Sequence, residues 1–340
     1  MVVTVPDPLA APALRWGILG PGGIARRFAR EIPAYTRSRI AAIGSRDRGR
    51  AEQLAESVRA AGGTAVKTYG SYEALVADPE VDVVYVSSPH SEHHDHAIMA
   101  LEAGKPVLVE KAFALNADQA AAVFAVAKRQ GLFAMEAMWS RFLPHYATMK
   151  AMVEAGELGE VRAVLGVHAQ SLNLDPSFRL MNRSLGGGAL LDLGIYPLSF
   201  FHSLLGVPDR IVATGSLTET GVDRRETVTC VYGDRFAVAY DDMAAAGDCS
   251  LQVVGTKGRF SVAEWFYTPN DVVFTPAGGE PQVLPTAVEG GFQFEAAEAA
   301  RCIAAGQTES AVMPWAATLE VLAMCDEVRR QLGVTYPAEG

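Results

Sequence analysis

Cysteine is scarce: Cys230, Cys249, Cys302 and Cys325 are the only four in 340 residues, and none stands in C-x-x-C spacing or a paired framework. That excludes a disulfide-stapled fold and fits a reducing compartment. Basic residues are also the minority, 29 Lys and Arg against 39 Asp and Glu for a formal charge of −10, and no long basic run occurs. This balance repels nucleic-acid phosphate and anionic lipid, so neither nucleic acid nor membrane is expected as a partner. The first thirteen residues contain Pro6, Pro8 and Pro12 but no basic start followed by an apolar stretch. They are expected to form a flexible tail, not a signal peptide, and the protein to be cytoplasmic. One segment, Ala189 to Val207, is apolar enough to suggest a membrane span, yet it holds Asp192 and His202 and lacks basic flanks, so a buried helix is expected. Internal repeats and low-complexity tracts are absent.

What is present is enough apolar material for a large core, 49% hydrophobic against 20% charged, in a chain longer than one domain usually holds. From Leu14 to about Ala134, strand-like runs (Trp16 to Leu19, Ile40 to Ser45, Val81 to Ser87, Pro106 to Val109) alternate with helical stretches (Ile24 to Ile32, Arg48 to Ala60, Ala97 to Ala103). That alternation specifies an α/β fold, a doubly wound parallel sheet with helices on both faces. After Glu136 the strand-like runs are short: Val161 to Ala169, Arg210 to Thr218, Glu226 to Tyr232, Phe236 to Asp241, Ser250 to Val254 and Arg259 to Val262. Turns at Gly221, Gly233, Gly247 and Gly258 separate several of them and predict an α+β domain with an open, largely antiparallel sheet. Helices are expected over Phe292 to Ala305 and Trp315 to Leu332, the latter closed by Gly333. The expected division is a tail over 1–13, a dinucleotide-binding domain over 14–135 and a substrate and oligomerisation domain over 136–340.

Gly20-x-Gly22-x-x-Ala25 sits where the first strand hands over to a helix. Glycines there permit a tight turn and close approach of backbone to pyrophosphate, and the helix start supplies free N–H groups and a favourable dipole. At the end of the second strand, where NAD-binding domains place an acidic residue, the chain has Ser45-Arg46-Asp47-Arg48-Gly49-Arg50. Arg46 suits bidentate contact with a 2′-phosphate and Arg50 can add a second cation. NADP is therefore preferred; Asp47 leaves NAD possible.

Three clusters carry further chemistry. Ser88-Pro89-His90-Ser91-Glu92-His93-His94-Asp95-His96 follows a buried strand. Four histidines invite a metal reading, but no cysteine or distant ligand supports it, so no metal is expected; His90 and His93 instead suit a place lining the cofactor. Glu110-Lys111 ends another strand, which projects Lys111 into the crevice where open sheets bind ligands; there it can donate to a substrate hydroxyl or carbonyl. In Gly186-Gly187-Gly188-Ala189-Leu190-Leu191-Asp192-Leu193-Gly194-Ile195-Tyr196, Asp192 and Tyr196 are spaced to share a helix face. A carboxylate in so apolar a segment needs a partner, and Lys111 is the obvious candidate.

Together these segments resemble the glucose–fructose oxidoreductase and inositol dehydrogenase family, Gfo/Idh/MocA, over nearly the whole chain. Its Glu-Lys-Pro signature stands here as Glu110-Lys111-Ala112, with alanine for proline, and its glycine-rich segment as Gly186 to Gly194. Tyr196 in place of histidine, Pro89-His90-x-x-His93 and the run Met135-Glu136-Ala137-Met138-Trp139-Ser140-Arg141-Phe142-Leu143-Pro144 resemble the dihydrodiol and xylose dehydrogenase branch. The resemblance implies NADP dependence through Arg46 and Arg50, and a dimer or tetramer formed through the second sheet. It also implies Arg179 near the active site, and Trp139 and Arg141 at the mouth between cofactor and substrate. The expected cofactor set is Gly20, Gly22, Gly23, Ile24, Ala25, Ser45, Arg46, Arg50, Ser88, Pro89, His90, His93, Glu110, Lys111, Trp139 and Arg141. The expected substrate set is Lys111, Trp139, Arg179, Asp192 and Tyr196.

The expected activity is hydride transfer between a secondary hydroxyl or carbonyl of a sugar or cyclic diol and nicotinamide C4. Tyr196 is expected to act as the base with its pKa lowered by Lys111, and Asp192 to orient the lysine or the substrate. Two rivals remain at this point: a non-catalytic dinucleotide-binding regulator, and an enzyme that never releases its cofactor. The loops of the second domain, such as Asn173 to Ser184, are expected to set specificity.

Overall fold

A computed structural model describes residues 2–63 and 65–339. Its first part alternates β1 (Arg15–Leu19), α1 (Gly23–Tyr35), β2 (Arg39–Gly44), α2 (Arg48–Ala60), β3 (Lys67–Tyr69), α3 (Tyr72–Val76), β4 (Val83–Val86), α4 (His93–Glu102), β5 (Val107–Glu110), α5 (Ala117–Gln130) and β6 (Ala134–Ala137). The strands lie in the order β3-β2-β1-β4-β5-β6 and every pairing is parallel. β4, β5 and β6 are buried along their whole length, as expected of largely apolar strands covered on both faces, with Glu110 and Glu136 the charged exceptions. Strand order reverses at β1, where the chain goes one way to β2 and the other way to β4. The carboxyl ends of those strands therefore open a crevice, the usual ligand site of a doubly wound sheet.

Helix ends follow local chemistry. Asp47 caps α2 by accepting from Gly49 N at 2.9 Å. α5 starts at Asn116, which accepts from Gln119 N at 2.8 Å, and stops at Gly131 in the left-handed region. α5 was not anticipated from the sequence, nor were the short β3 and α3.

The second part contains α6 (Pro144–Glu154), β7 (Val161–Ala169), α7 (Ile195–Leu205), β8 (Arg210–Leu217), β9 (Asp223–Tyr232), β10 (Arg235–Asp242), β11 (Leu251–Gly255), β12 (Gly258–Val262), β13 (Val272–Pro276), β14 (Gln282–Leu284), α8 (Phe292–Ala304) and α9 (Trp315–Leu332). Eight strands lie in the order β14-β13-β12-β11-β7-β10-β9-β8. All neighbours run antiparallel except β7 and β10, which are parallel because the chain inserts α7 and two strands between them. α7 covers one face, closely enough that a side chain at Gly166 would sit 2.9 Å from Pro197. The other face is bare, with Leu165, Val212 and Phe236 exposed on it.

The apolar segment around Asp192 is long and apolar enough to span a membrane, over Arg183–Leu205, but 72% of its most apolar window is buried inside the protein. Its burial against β7 and β10 accounts for that composition. Val3 N donates to Thr148 Oγ1 at 3.0 Å and Ala11 is buried against Ala297 and Ala300, while residues 2–10 are exposed or half-buried. The expected boundary between 135 and 136 falls inside β6, and the last helices return to the first sheet, α8 onto α1 and α9 onto α5. Residues 1 and 340 of the expected divisions lie outside the described residues.

Candidate active site

A crevice of about 810 Å³ runs from the carboxyl edge of the parallel sheet to the second sheet. At one end β1 gives way to Gly20, whose φ of +96° and whose closeness to Ser87 and Ser88 leave no room for a side chain. α1 then begins at Gly23 after Gly22, which offers no side-chain cap, so the first amides of the helix stay open. A Cβ at Gly23 would meet nothing within 4 Å. Open amides facing a concavity fit a diphosphate. Ile24, Ser45, Arg46, Arg50, Ser88, Pro89, His90 and His93 line the same crevice. Arg46 Nη1 lies 3.0 Å from Glu92 Oε1, an ion pair largely open to water that a 2′-phosphate can displace. Asp47 is occupied as the α2 cap, which weakens it as a ribose acceptor.

The histidines are held by protein groups. His93 places Nδ1 2.8 Å from Ala112 O and Nε2 2.8 Å from Ser88 O, and burial pushes its pKa down to about 4. His90 Nδ1 meets Gly186 O at 2.9 Å, which ties the first sheet to the glycine-rich segment. Gly186 has φ +70°, and a Cβ there would come 2.8 Å from His90 Cβ. Glycine is needed for that approach.

At the other end Lys111 Nζ donates to Asp192 O at 2.7 Å and to Asp192 Oδ1 at 3.2 Å, while Arg179 Nη2 reaches the same Oδ1 at 2.9 Å. Burial alone would raise the Asp192 pKa, but the two cations and His90 hold it far below the ordinary carboxylate range. Two of the three ammonium hydrogens are thus spent on Asp192 and one remains for a ligand. Lys111 Nζ stands 5.0 Å from the centre of the Tyr196 ring. The Lys111–Ala112 peptide bond is cis. Next to it Glu110 accepts from Tyr85 Oη, and burial lifts its pKa to about 7.

Asp192 lies in a π-helical turn, Leu190–Gly194, that runs into α7, and it shares the crevice with Tyr196. Trp139 Nε1 donates to Tyr196 Oη at 2.9 Å, so the tyrosine's own proton is directed elsewhere. Contrary to expectation, the Tyr196 pKa is not lowered: burial, reinforced by the Glu110 charge, raises it well above the usual tyrosine value. Tyr196 therefore rests protonated.

Three sequence-predicted residues do not line the crevice. Ala25 is buried beneath the start of α1. Trp139 sits behind Tyr196 as its hydrogen-bond donor. Arg141 is buried away from the site, bonded to Ser199 Oγ at 2.7 Å and Ser199 O at 2.8 Å, where it braces α7. Conversely, His168, Gln170, Leu172, Tyr72 and Tyr267 line the crevice without having been singled out. His168 lies near the end of β7, Gln170 just past it and Tyr267 after β12, so only strand pairing across the second sheet brings them to Tyr196.

Comparison with known proteins agrees with the two-part architecture. Residues 14–138 match the model of the oxidoreductase family with NAD-binding Rossmann fold, and residues 146–261 that of the GFO/IDH/MocA C-terminal domain. The chain is 36% identical to the D-xylose 1-dehydrogenase (NADP(+)) of Hypocrea jecorina, over 95% of this chain and 93% of that protein. It is 33% identical to the trans-1,2-dihydrobenzene-1,2-diol dehydrogenase of Xenopus tropicalis, over 96% and 100%. Among solved structures it is similar to the 3-ketoreductase KijD10 of Actinomadura kijaniata with NADP and TDP-benzene, with TM-score 0.84, 27% identity and 94% and 98% of the two chains covered. The aldose-aldose oxidoreductase of Caulobacter crescentus gives TM-score 0.82, 27% identity and 94% and 97% coverage. Carrying both domains of the family in order along its length, the chain belongs to the Gfo/Idh/MocA oxidoreductases.

Proposed function

We propose that this protein is an NADP-dependent dehydrogenase that moves a hydride between a secondary hydroxyl or carbonyl of a sugar or cyclic diol and nicotinamide C4. The observation that carries this is one crevice holding the Gly20 turn and Arg46 at one end and the Lys111–Asp192–Tyr196 group at the other. NADP, when bound, supplies or accepts the hydride. The protein's own groups handle the proton: Lys111, fixed by Asp192, points one hydrogen at the substrate oxygen, and Tyr196 offers its hydroxyl proton to that oxygen in carbonyl reduction. In alcohol oxidation the same groups act in reverse. A purely regulatory dinucleotide-binding role would not require this ammonium, carboxylate and phenol to converge. Assaying reduction of NADP with aldoses, polyols and trans-diols tests the proposal, and a protein inert towards all of them would refute it.

Arg46 and Arg50 are assigned to the 2′-phosphate. Arg46→Ala is expected to raise the NADP Michaelis constant about ten- to hundredfold, the worth of a charge-assisted hydrogen bond, and to leave that for NAD nearly unchanged. Equal losses with both nucleotides would remove the assignment.

The bare face of the second sheet is assigned to self-association as a homodimer or homotetramer in the cytoplasm. Exposed Leu165, Val212 and Phe236 on that face support it, and four buried free cysteines suit a reducing compartment. Light scattering is expected to report at least twice the 36.2 kDa chain mass, and a 36.2 kDa particle would contradict it.

A further inference from the structure

Beside Tyr196 lies a short hydrogen-bonded chain that the hydride and proton chemistry does not use. It begins at Leu193 O, which sits 2.9 Å from His168 Nδ1. A carbonyl can only accept, so Nδ1 carries the hydrogen. Burial keeps the ring neutral, with a pKa pushed down to about 4, which leaves Nε2 as a bare acceptor. Gln170 Nε2 lies 2.7 Å from that nitrogen and 2.9 Å from Tyr267 Oη. The histidine tautomer thus fixes the amide: both N–H hydrogens of Gln170 are spent, one on His168 and one on Tyr267.

The consequence faces the crevice, which both Gln170 and Tyr267 line. Gln170 Oε1 accepts no hydrogen bond from the described residues. Tyr267 Oη already accepts from Gln170 and stays protonated, since burial raises its pKa well above the usual value, so its hydrogen is free to be donated. The Tyr267 ring lies 4.7 Å from the Tyr196 ring and 4.5 Å from His168, which holds the hydroxyl in place. A fixed acceptor beside a fixed donor matches one hydroxyl group, which can give one hydrogen and take another.

We propose that Gln170 Oε1 and Tyr267 Oη form a specificity pair that reads a hydroxyl other than the one oxidised, so that the substrate carries at least two hydroxyls. The inference rests on the dehydrogenase reading above. A substrate with no second hydroxyl at this wall would leave Gln170 Oε1 unpaired, whereas a second hydroxyl of a sugar or diol satisfies it. Sites built this way reject analogues that lack the group they bind. Leu172 and Leu193 supply the apolar remainder of the wall.

The test is a cycle of kcat/KM values for wild type and Gln170→Leu, measured with the best aldose and with its monodeoxy analogues, each lacking one hydroxyl. In wild type, loss of one particular hydroxyl is expected to cost about tenfold, and in Gln170→Leu that same deletion is expected to cost almost nothing. NADPH affinity, read by fluorescence titration, should be the same in both proteins and so report an intact fold and cofactor site. If every deoxy analogue loses the same factor in both proteins, or if cyclohexanol outperforms trans-cyclohexane-1,2-diol and all aldoses in wild type, the pair does not read a hydroxyl. A wild type inert towards all sugars and diols overturns the dehydrogenase reading and this inference with it, and that outcome is distinct from a flat cycle.

Discussion

Lys111→Met is expected to lower turnover by roughly 10²- to 10⁴-fold while leaving NADPH binding close to wild type. The side chain spends two donors on Asp192 and keeps one for the substrate oxygen. Methionine fills a similar volume and removes all three. Asp192 remains compensated by Arg179 at 2.9 Å, so the variant should still fold. The glycine turn and Arg46 lie at the opposite end of the crevice, which is why the cofactor should bind as before. Steady-state rates with an NADPH fluorescence titration check the prediction; undiminished turnover would remove Lys111 from the chemistry.

Tyr196→Phe is expected to act in two ways. Loss of the phenolic proton should lower kcat by roughly 10²- to 10⁴-fold with little change in the NADP Michaelis constant. It also strands Trp139 Nε1, a buried donor that now bonds Tyr196 Oη at 2.9 Å, at a cost of about 1–3 kcal/mol in stability. Denaturant unfolding measures the second effect independently of the first. A variant with lowered stability and unchanged kcat would make Tyr196 a packing residue and leave Lys111 alone at the reacting end.

Much of this could be read before any coordinates because local chemistry determined it. α2 and α9 run as anticipated, over Arg48–Ala60 and Trp315–Leu332, because each carries its own end signal: Asp47 as a cap, and Gly333 in the left-handed region. Gly20, Arg46 and Lys111 were legible as candidates because each follows a strand end, which places it at the sheet edge, whereas Asp192 stood out as a carboxylate in an apolar segment. α5 carried equally clear signals, Asn116 and Gly131, and was passed over although its ends are marked as plainly as those of α2 and α9.

The misses at the site have another cause. Arg141 belongs to a run whose neighbour Trp139 does approach the reacting end, but two residues along a 3₁₀ turn send it to Ser199 instead. His168, Gln170 and Tyr267 meet only because β7, β11 and β12 pair in one register, and no local pattern encodes contacts across 97 residues. The Tyr196 pKa was misjudged for a related reason. A nearby cation is visible in a motif, whereas the burial that outweighs it is a property of the assembled core.

The central claim is direct hydride transfer from a substrate carbon to the nicotinamide in the crevice between Gly20 and Lys111. Oxidation of a carbon-deuterated form of the best aldose by wild-type protein and NADP, followed by magnetic resonance of the reduced nucleotide, tests it most directly. Deuterium at C4 of the nicotinamide is the predicted result. Deuterium lost to solvent, with only hydrogen at C4, would contradict it.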